Sequence, residues 1–363
     1  MKFLSLTKVK PGMILAMDIK NFEDKILFKK GTVLDNNKIK IIKENGIFRI
    51  PVNIPEKEQH IQISIKEAAH AHSFISEELL EKSFNMVKNL FNDLMDTGIV
   101  DVDEATNIAS NLTKEMQKNF SDKLYVPLKK LKNYDEYLYS HSLNVMILGA
   151  LIGLEEGISD DELIELALSG LLHDIGKTKI PLEILNAPRK LSSQEFELVK
   201  NHVLYAKEIL ETSKISDKKV IEGALEHHER YDGTGYIFKK KGNDISYYGR
   251  ILAISDVYDA LTSTRCYKEP WTPYKTLSYI LSHVNKHFDP QLTQNLVNAL
   301  GLFPPGMEVI LSDGSKGIII ATNRSNKMKP IIKINDNIVD LTEEKTLRII
   351  KIVDYKYFED EVT

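Results

Sequence analysis

Residues 168–181 read LSGLLHDIGKTKIP, and the neighbouring His173 and Asp174 within them decide how the rest of the chain is read. They close an apolar helical stretch. An imidazole and a carboxylate from one piece of backbone suit a borderline divalent metal, and a carboxylate has two oxygens with which to bridge two ions. An isolated His-Asp dipeptide carries no information. Here it stands among His141, His202, His227, His228 and Asp256, on segments that read as helices, with Lys177 three residues beyond Asp174. Potential ligands on successive helices predict a metal site inside a helical bundle.

Working outward, apolar residues recur at three and four around these ligands. His141 lies one turn before Val145, with Leu148 and Ile152 on the same face. His173 ends a helix that starts near Asp160. Ser192 and Glu195 form a capping-box pattern opening the helix that carries His202. His227 and His228 close a helix running from about Asp217, and Asp256 lies on a helix from Gly249 to Thr262. FDPQLTQNL starts another, with Asp289 as N-cap and Pro290 at the first position.

At both ends the pattern changes. Residues 1–58 read as a small β-rich module: MILAMDI and KILFKKGTVL are strands around a turn at Asn21 to Asp24, and NNKIKIIKENG is a short helix closed by Gly46. Residues 59–120 read as a helical connector or regulatory segment, with Leu79, Phe84, Val87, Leu90, Phe91 and Leu94 recurring along it. After Pro304 and Pro305, MEVILSD, KGIIIAT, KPIIKIN and NIVDL predict a second small β-rich module over 305–363. The expected fold is mainly α, a helical bundle at 121–304 flanked by β-rich modules.

A chain of 363 residues has room for two or three domains and a large core. Its net charge of −4 excludes a general binder of polymeric nucleic acid. An anionic substrate must therefore be met by local cations. The single cysteine, Cys266, excludes an internal disulfide framework and fits a reducing, cytoplasmic setting. The longest apolar run, roughly Val145 to Leu154, is too short to span a bilayer. The N-terminal MKFLSLTKVKPG lacks the sustained apolar core of a signal peptide, so no membrane insertion is expected.

Asp174 is the natural bridge of a two-metal site. His141, His173 and Asp256 can complete one metal, and His202, His227 and His228 the other. Two such ions would hold a bridging hydroxide and clamp a phosphate for in-line attack. No Ser or Cys nucleophile stands in a recognisable context. The other histidines take a plainer reading: His70 and His72 fall on different faces of a helix, His60 lies in a linker, and His283 and His287 sit on a surface helix with no third ligand near.

With these residues placed, positions 121–302 resemble the HD-GYP family of cyclic di-GMP phosphodiesterases, a branch of the HD-domain metallohydrolases. The resemblance rests on YLYSHSLNV from Tyr137, LLHDIGKTKIP from Leu171, NHVLYAKEIL from Asn201, HHERYDGTGY from His227, RILAISDVYDALTS from Arg250 and FDP from Phe288. It implies an HD-type bundle with a bimetal or trimetal centre, usually iron or manganese, that hydrolyses cyclic di-GMP to linear pGpG or on to GMP. The family's ligands fall on His141, His173, Asp174, His202, His227, His228 and Asp256, and its phosphate-contacting lysine on Lys177. Arg265 and Lys268 match substrate-contacting positions, and Tyr236 stands in the signature loop. That loop, Gly235-Tyr236, is also a candidate contact for a signalling partner.

Three departures qualify the resemblance. Ile237 stands where the signature has proline, and Cys266 replaces a second proline. Some relatives bind a third metal through a glutamate four residues before the first ligand histidine; here that position is Tyr137, and Glu136, five residues away, is expected to point off the face. Two divalent ions, iron or else manganese, and pGpG as the main product are therefore expected. The rival readings are a receptor that binds cyclic di-GMP without cleaving it, and a hydrolase of another cyclic dinucleotide. The 60–120 pattern also allows a homodimer.

Overall fold

The computed structural model describes residues 2–6, 9–20, 25–45, 47, 49–53, 73–120, 123–124, 137–185, 187, 191–263, 270–303, 305, 307–323, 325–335 and 337–353. The chain forms two compact units, Met1–Glu67 and Ala68–Thr363.

In the first unit, β1 (Lys2–Ser5), β2 (Ile14–Leu15), β3 (Ile19–Lys20), β4 (Ile26–Phe28) and β5 (Arg49–Asn53) surround α1 (Asn36–Glu44) in chain order. β1, β5 and β2 form one antiparallel sheet, and β3 pairs with β4 separately. The expected strand MILAMDI is thus two short strands. Leu15 and Ala16 are both buried, which a continuous strand of period two does not allow, so the chain bends there. Asp35 caps α1 by accepting the Lys38 amide hydrogen. The expected turn at Asn21 to Asp24 and the closing Gly46 lie outside the described residues.

The second unit opens with α2 (Glu77–Thr97) and α3 (Val102–Asn119). α2 ends where Gly98 takes φ 75°, a left-handed conformation that glycine adopts without a Cβ clash. Where it is described, the segment expected as a connector is not separate from the bundle. Phe84, Val87, Phe91, Ile108 and Leu112 share one apolar core with Leu143, Ile147, Leu151 and Leu252.

That core is organised around α4 (Tyr137–Glu156), which is apolar on nearly every side and therefore central. α4 touches α2, α3, α5 (Asp160–Leu172), α10 (Tyr247–Thr262) and α12 (Pro290–Leu300). α4 is long and apolar enough to cross a membrane, but 78% of its most apolar window is buried by the protein itself. Between α5 and α10 come a 3-10 turn at Ile175–Lys179, α6 (Leu182–Leu185), α7 (Ser193–Lys200), α8 (His202–Thr212) and α9 (Lys218–Glu226); α11 (Pro273–Ser282) precedes α12.

The expected caps are present: Ser192 and Glu195 make the reciprocal capping box of α7, and Asp289 accepts the first amides of α12, with Pro290 as its first residue. One helix differs. The stretch from Ser193 to Thr212 is broken at Asn201, so the capping box opens α7 while His202 starts α8. His283 and His287 occupy α11's C-terminal cap and the turn beyond it, not a helix face.

The C-terminal strands β7 (Glu308–Leu311), β8 (Lys316–Asn323), β9 (Ile331–Ile334), β10 (Asn337–Asp340) and β11 (Ile349–Ile352) form an antiparallel sheet in the order β10-β9-β8-β7-β11. β6 (Lys123–Leu124), from before the bundle, joins it on β8. Neither β6 nor β11 was expected. β6 is two residues long, and β11 slips register between Ile349 and Lys351, which spoils its alternation.

Candidate metal centre

The seven predicted ligands reach one point from five places in the bundle. His141 lies within α4, and His173 and Asp174 come directly after α5. His202 starts α8, His227 and His228 come directly after α9, and Asp256 is inside α10. His141, His173, Asp174, His202 and His227 are each at most 2% exposed.

Local backbone geometry fixes three of the rings. The last carbonyls of a helix have no amide partner within it. His173 Nδ1 donates to the Gly170 carbonyl at 2.8 Å, His227 Nδ1 to Ala224 at 2.8 Å, and His202 Nδ1 to Val199, at the end of α7, at 2.7 Å. A carbonyl can only accept, so the hydrogen is on Nδ1 and the Nε2 lone pair is free to bind a metal. His141 Nδ1 instead donates to Asp259 Oδ2 at 2.7 Å.

The inward atoms sort themselves around the two oxygens of Asp174. Oδ2 lies 3.4 Å from Nε2 of both His141 and His173; Oδ1 lies 3.3 Å from His202 Nε2 and 3.8 Å from His227 Nε2. Asp256 Oδ1 is 3.2 Å from His141 Nε2, and its Oδ2 is 3.8 Å from His228 Nδ1. Among the described residues, two groups have donor atoms mutually within 4.8 Å: His141, His173 and Asp174, and Asp174, His202, His227 and His228. Ligands about 2.1 Å from one ion in a tetrahedron are about 3.4 Å apart, so these spacings fit atoms that share a cation. Nε2 of His173, His202 and His227, with Asp174 Oδ1, are buried and lack hydrogen-bond partners. Leaving one such atom unsatisfied costs about 1–3 kcal/mol, and divalent cations, one in each group, would together satisfy all four.

Electrostatics set His141 apart from His227 and His228. Burial works against protonation of His141, but Tyr137 and the carboxylates of Asp174, Asp256 and Asp259 hold it well above the ordinary imidazole range. Burial, with neighbouring imidazoles, pushes His227 far down; burial takes His228 to about 3. Burial opposes charge on Asp174 and Asp256 too. Lys177 and His173 hold Asp174 well below the carboxylate range, and His141 and His228 do the same for Asp256.

Lys177 Nζ contacts Asp174 Oδ2 directly. The Tyr236 ring stacks on His228 at 4.8 Å, its amide donates to the His228 carbonyl at 3.2 Å, and Lys200 Nζ lies 5.5 Å from the ring. The Tyr137 ring stacks on His141 at 5.3 Å. Arg265, Lys268, Cys266 and Glu136 lie outside the described residues, as do His60, His70 and His72.

Sequence reasoning missed Asp259, Asn144 and Glu229. Asp259 comes three residues after Asp256 on α10, and Asn144 three after His141 on α4, which puts each near its ligand's face. That spacing was the available signal. Glu229 Oε1 accepts the amide hydrogens of Phe238 and Lys239 at 2.6 and 3.0 Å, tying down the loop that carries Tyr236.

Residues 126–292 match the HD domain family. A cyclic di-GMP phosphodiesterase of Pseudomonas aeruginosa is 32% identical over 285 residues, 78% of this chain and 67% of that protein. The chain belongs to the HD-GYP family of HD-domain phosphodiesterases. A 3′3′-cGAMP-specific phosphodiesterase of Vibrio cholerae is 41% identical over 142 residues, 39% of this chain and 27% of that one. A cyclic di-GMP phosphodiesterase of Thermotoga maritima is 30% identical over 225 residues, 61% of this chain and 59% of its own length. The chain thus spans two thirds of the first of these relatives and smaller shares of the other two.

Proposed function

We propose that this HD-GYP protein is a cytoplasmic, metal-dependent phosphodiesterase that hydrolyses cyclic di-GMP to linear pGpG. One observation carries the reading: four imidazoles with Nδ1 already committed turn Nε2 toward both oxygens of one buried carboxylate. His141, His173 and Asp256 would hold one divalent cation, His202, His227 and His228 the other, with Asp174 between them. Iron is the first choice and manganese the second, since imidazole and carboxylate donors suit both. When bound, such a pair supplies Lewis acidity toward a phosphodiester oxygen and brings the pKa of water toward neutrality.

The remaining chemistry belongs to the chain's own groups. Lys177 stays charged, because Asp174 and Asp256 outweigh the effect of its burial. It is placed to neutralise charge developing on the phosphate. Tyr236 offers a ring beside the opening at His228, and Arg265 and Lys268 are the further cations for a substrate with two phosphodiester charges. Anaerobic turnover with elemental analysis tests this: two metal ions per chain and pGpG are expected. Three fully occupied sites, or metal loading without any cleavage, would contradict it.

A second reading, cleavage of the hybrid cyclic GMP-AMP, is favoured by the 41% identity to the cGAMP-specific enzyme. Product analysis with both cyclic dinucleotides in competition decides between them.

A further inference from the structure

The rings of the centre are not all held by the same kind of partner. His173, His202 and His227 use backbone carbonyls left over at helix ends. His141 lies inside α4, where the carbonyls are committed to the helical ladder, so its orientation must come from a side chain. Asp259 supplies it, with Oδ2 at 2.7 Å from Nδ1. Asp259 is itself fixed: its Oδ1 accepts from Asn144 Nδ2 at 2.7 Å and from Ser263 Oγ at 2.9 Å. It is 1% exposed, so water does not screen it.

We propose that Asp259 is a positioning residue that makes the His141–His173 half of the centre the tighter of the two cation subsites. This rests on the two-cation reading above. A carboxylate behind a ligating imidazole fixes the ring and raises its basicity more than a neutral carbonyl does. The surrounding charge acts in the same direction. Besides the shared Asp174, the His141 half has Asp256 Oδ1 at 3.2 Å and Asp259 behind the ring. The other half has the imidazoles of His202, His227 and His228 around Asp174 Oδ1, and Asp256 reaches it only through Oδ2, at the longer distance of 3.8 Å from His228 Nδ1. Lys177, against Asp174 Oδ2, opposes this trend with one positive charge against the two carboxylates of Asp256 and Asp259 that contact His141.

The test is titration of the full-length, metal-stripped chain with Mn²⁺, reading free Mn²⁺ by electron paramagnetic resonance. The parent should show two affinity classes. His202→Ala should remove the weaker class and spare the tighter; loss of the tighter class instead overturns the assignment. Asp259→Asn keeps size and an acceptor oxygen but drops the charge. It should weaken the tighter class about 10- to 100-fold and leave the weaker one in place. Asn144→Ala, which loosens Asp259 without touching His141, should move the same class by less, and it decides alone if Asp259→Asn does not fold. A general structural role would shift both classes together and lower the melting point of the metal-free chain. That result, or no shift at all, overturns the proposal. A parent that takes up no Mn²⁺ sinks the two-cation reading as well, whereas a parent with two classes indifferent to Asp259 sinks only this inference.

Discussion

Two helix ends in this bundle begin alike and finish differently. α5 runs into His173-Asp174 and α9 into His227-His228, and in each the first histidine donates Nδ1–H to the carbonyl three residues back at 2.8 Å. The second residues diverge. The Asp174 side chain is 1% exposed with both oxygens facing imidazoles, whereas His228 is 24% exposed and stacks on Tyr236. The contrast arises from the next segment of chain at each end. After Asp174 a 3-10 turn presses Gly176 against the backbone of α8; after His228 comes a loop tied to Glu229. On the proposed reading, the first end is the floor of the cation site and the second the wall that faces the substrate.

The largest effect should come from the floor. Asp174→Ala removes the carboxylate shared by both halves, and it is expected to abolish both metal retention and hydrolysis. His228→Ala, at the open end, is expected to lower metal content without eliminating it. Elemental analysis of the two variants checks the contrast, and equal retention would erase the difference between the two ends.

Lys177 shares the floor by its contact with Asp174, and its proposed role is toward the substrate. Lys177→Ala should keep both ions and lose about 10²- to 10³-fold in turnover, as expected for removing one charge-stabilising contact. Parent-like turnover would take Lys177 out of the mechanism, and loss of metal would make it part of the centre instead.

Rigidity itself can be measured at two glycines. A Cβ on Gly176 would lie 1.9 Å from the His202 carbonyl oxygen and 2.5 Å from the Ala206 amide nitrogen, backbone atoms that cannot rotate away. Gly176→Ala should therefore cost about 3 kcal/mol of stability. At the open end Gly233 has φ 85° and nothing closer than 3.5 Å to an added Cβ. Gly233→Ala should cost only the left-handed strain, about 1–2 kcal/mol. Denaturant midpoints of both variants test the order, and a reversed order would mean that the loop is the more tightly built end.

Most of the floor was legible because its signals are local. Helical periodicity, the Ser192–Glu195 box and the Asp289-Pro290 start lie within one turn of what they control, and the His-Asp and His-His pairs announce themselves. The features that escaped depend on distant partners. Asp259 acts on a ring 118 residues away, and β6 pairs with a strand beyond the bundle. The break at Asn201 escaped for another reason: apolar spacing runs through it, while the helix ends there so that Val199 can serve His202.

The smallest effect concerns the anchor of the wall. Glu229 is 2% exposed, and burial raises its carboxyl above the usual range despite the Phe238 and Lys239 amides that favour its charge. A carboxyl whose folded pKa is raised contributes stability at low pH that is lost as pH climbs through that pKa. Glu229→Gln cannot titrate. The stability of the parent relative to Glu229→Gln should therefore fall as pH rises from about 4, where the unfolded carboxyl titrates, toward 7. Urea melts of both metal-free chains across that range measure the difference, in which titrating groups away from Glu229 cancel. A difference that stays flat, or moves in favour of the parent, would mean that the two amide hydrogen bonds outweigh the burial and that the loop is held by a fully charged clamp.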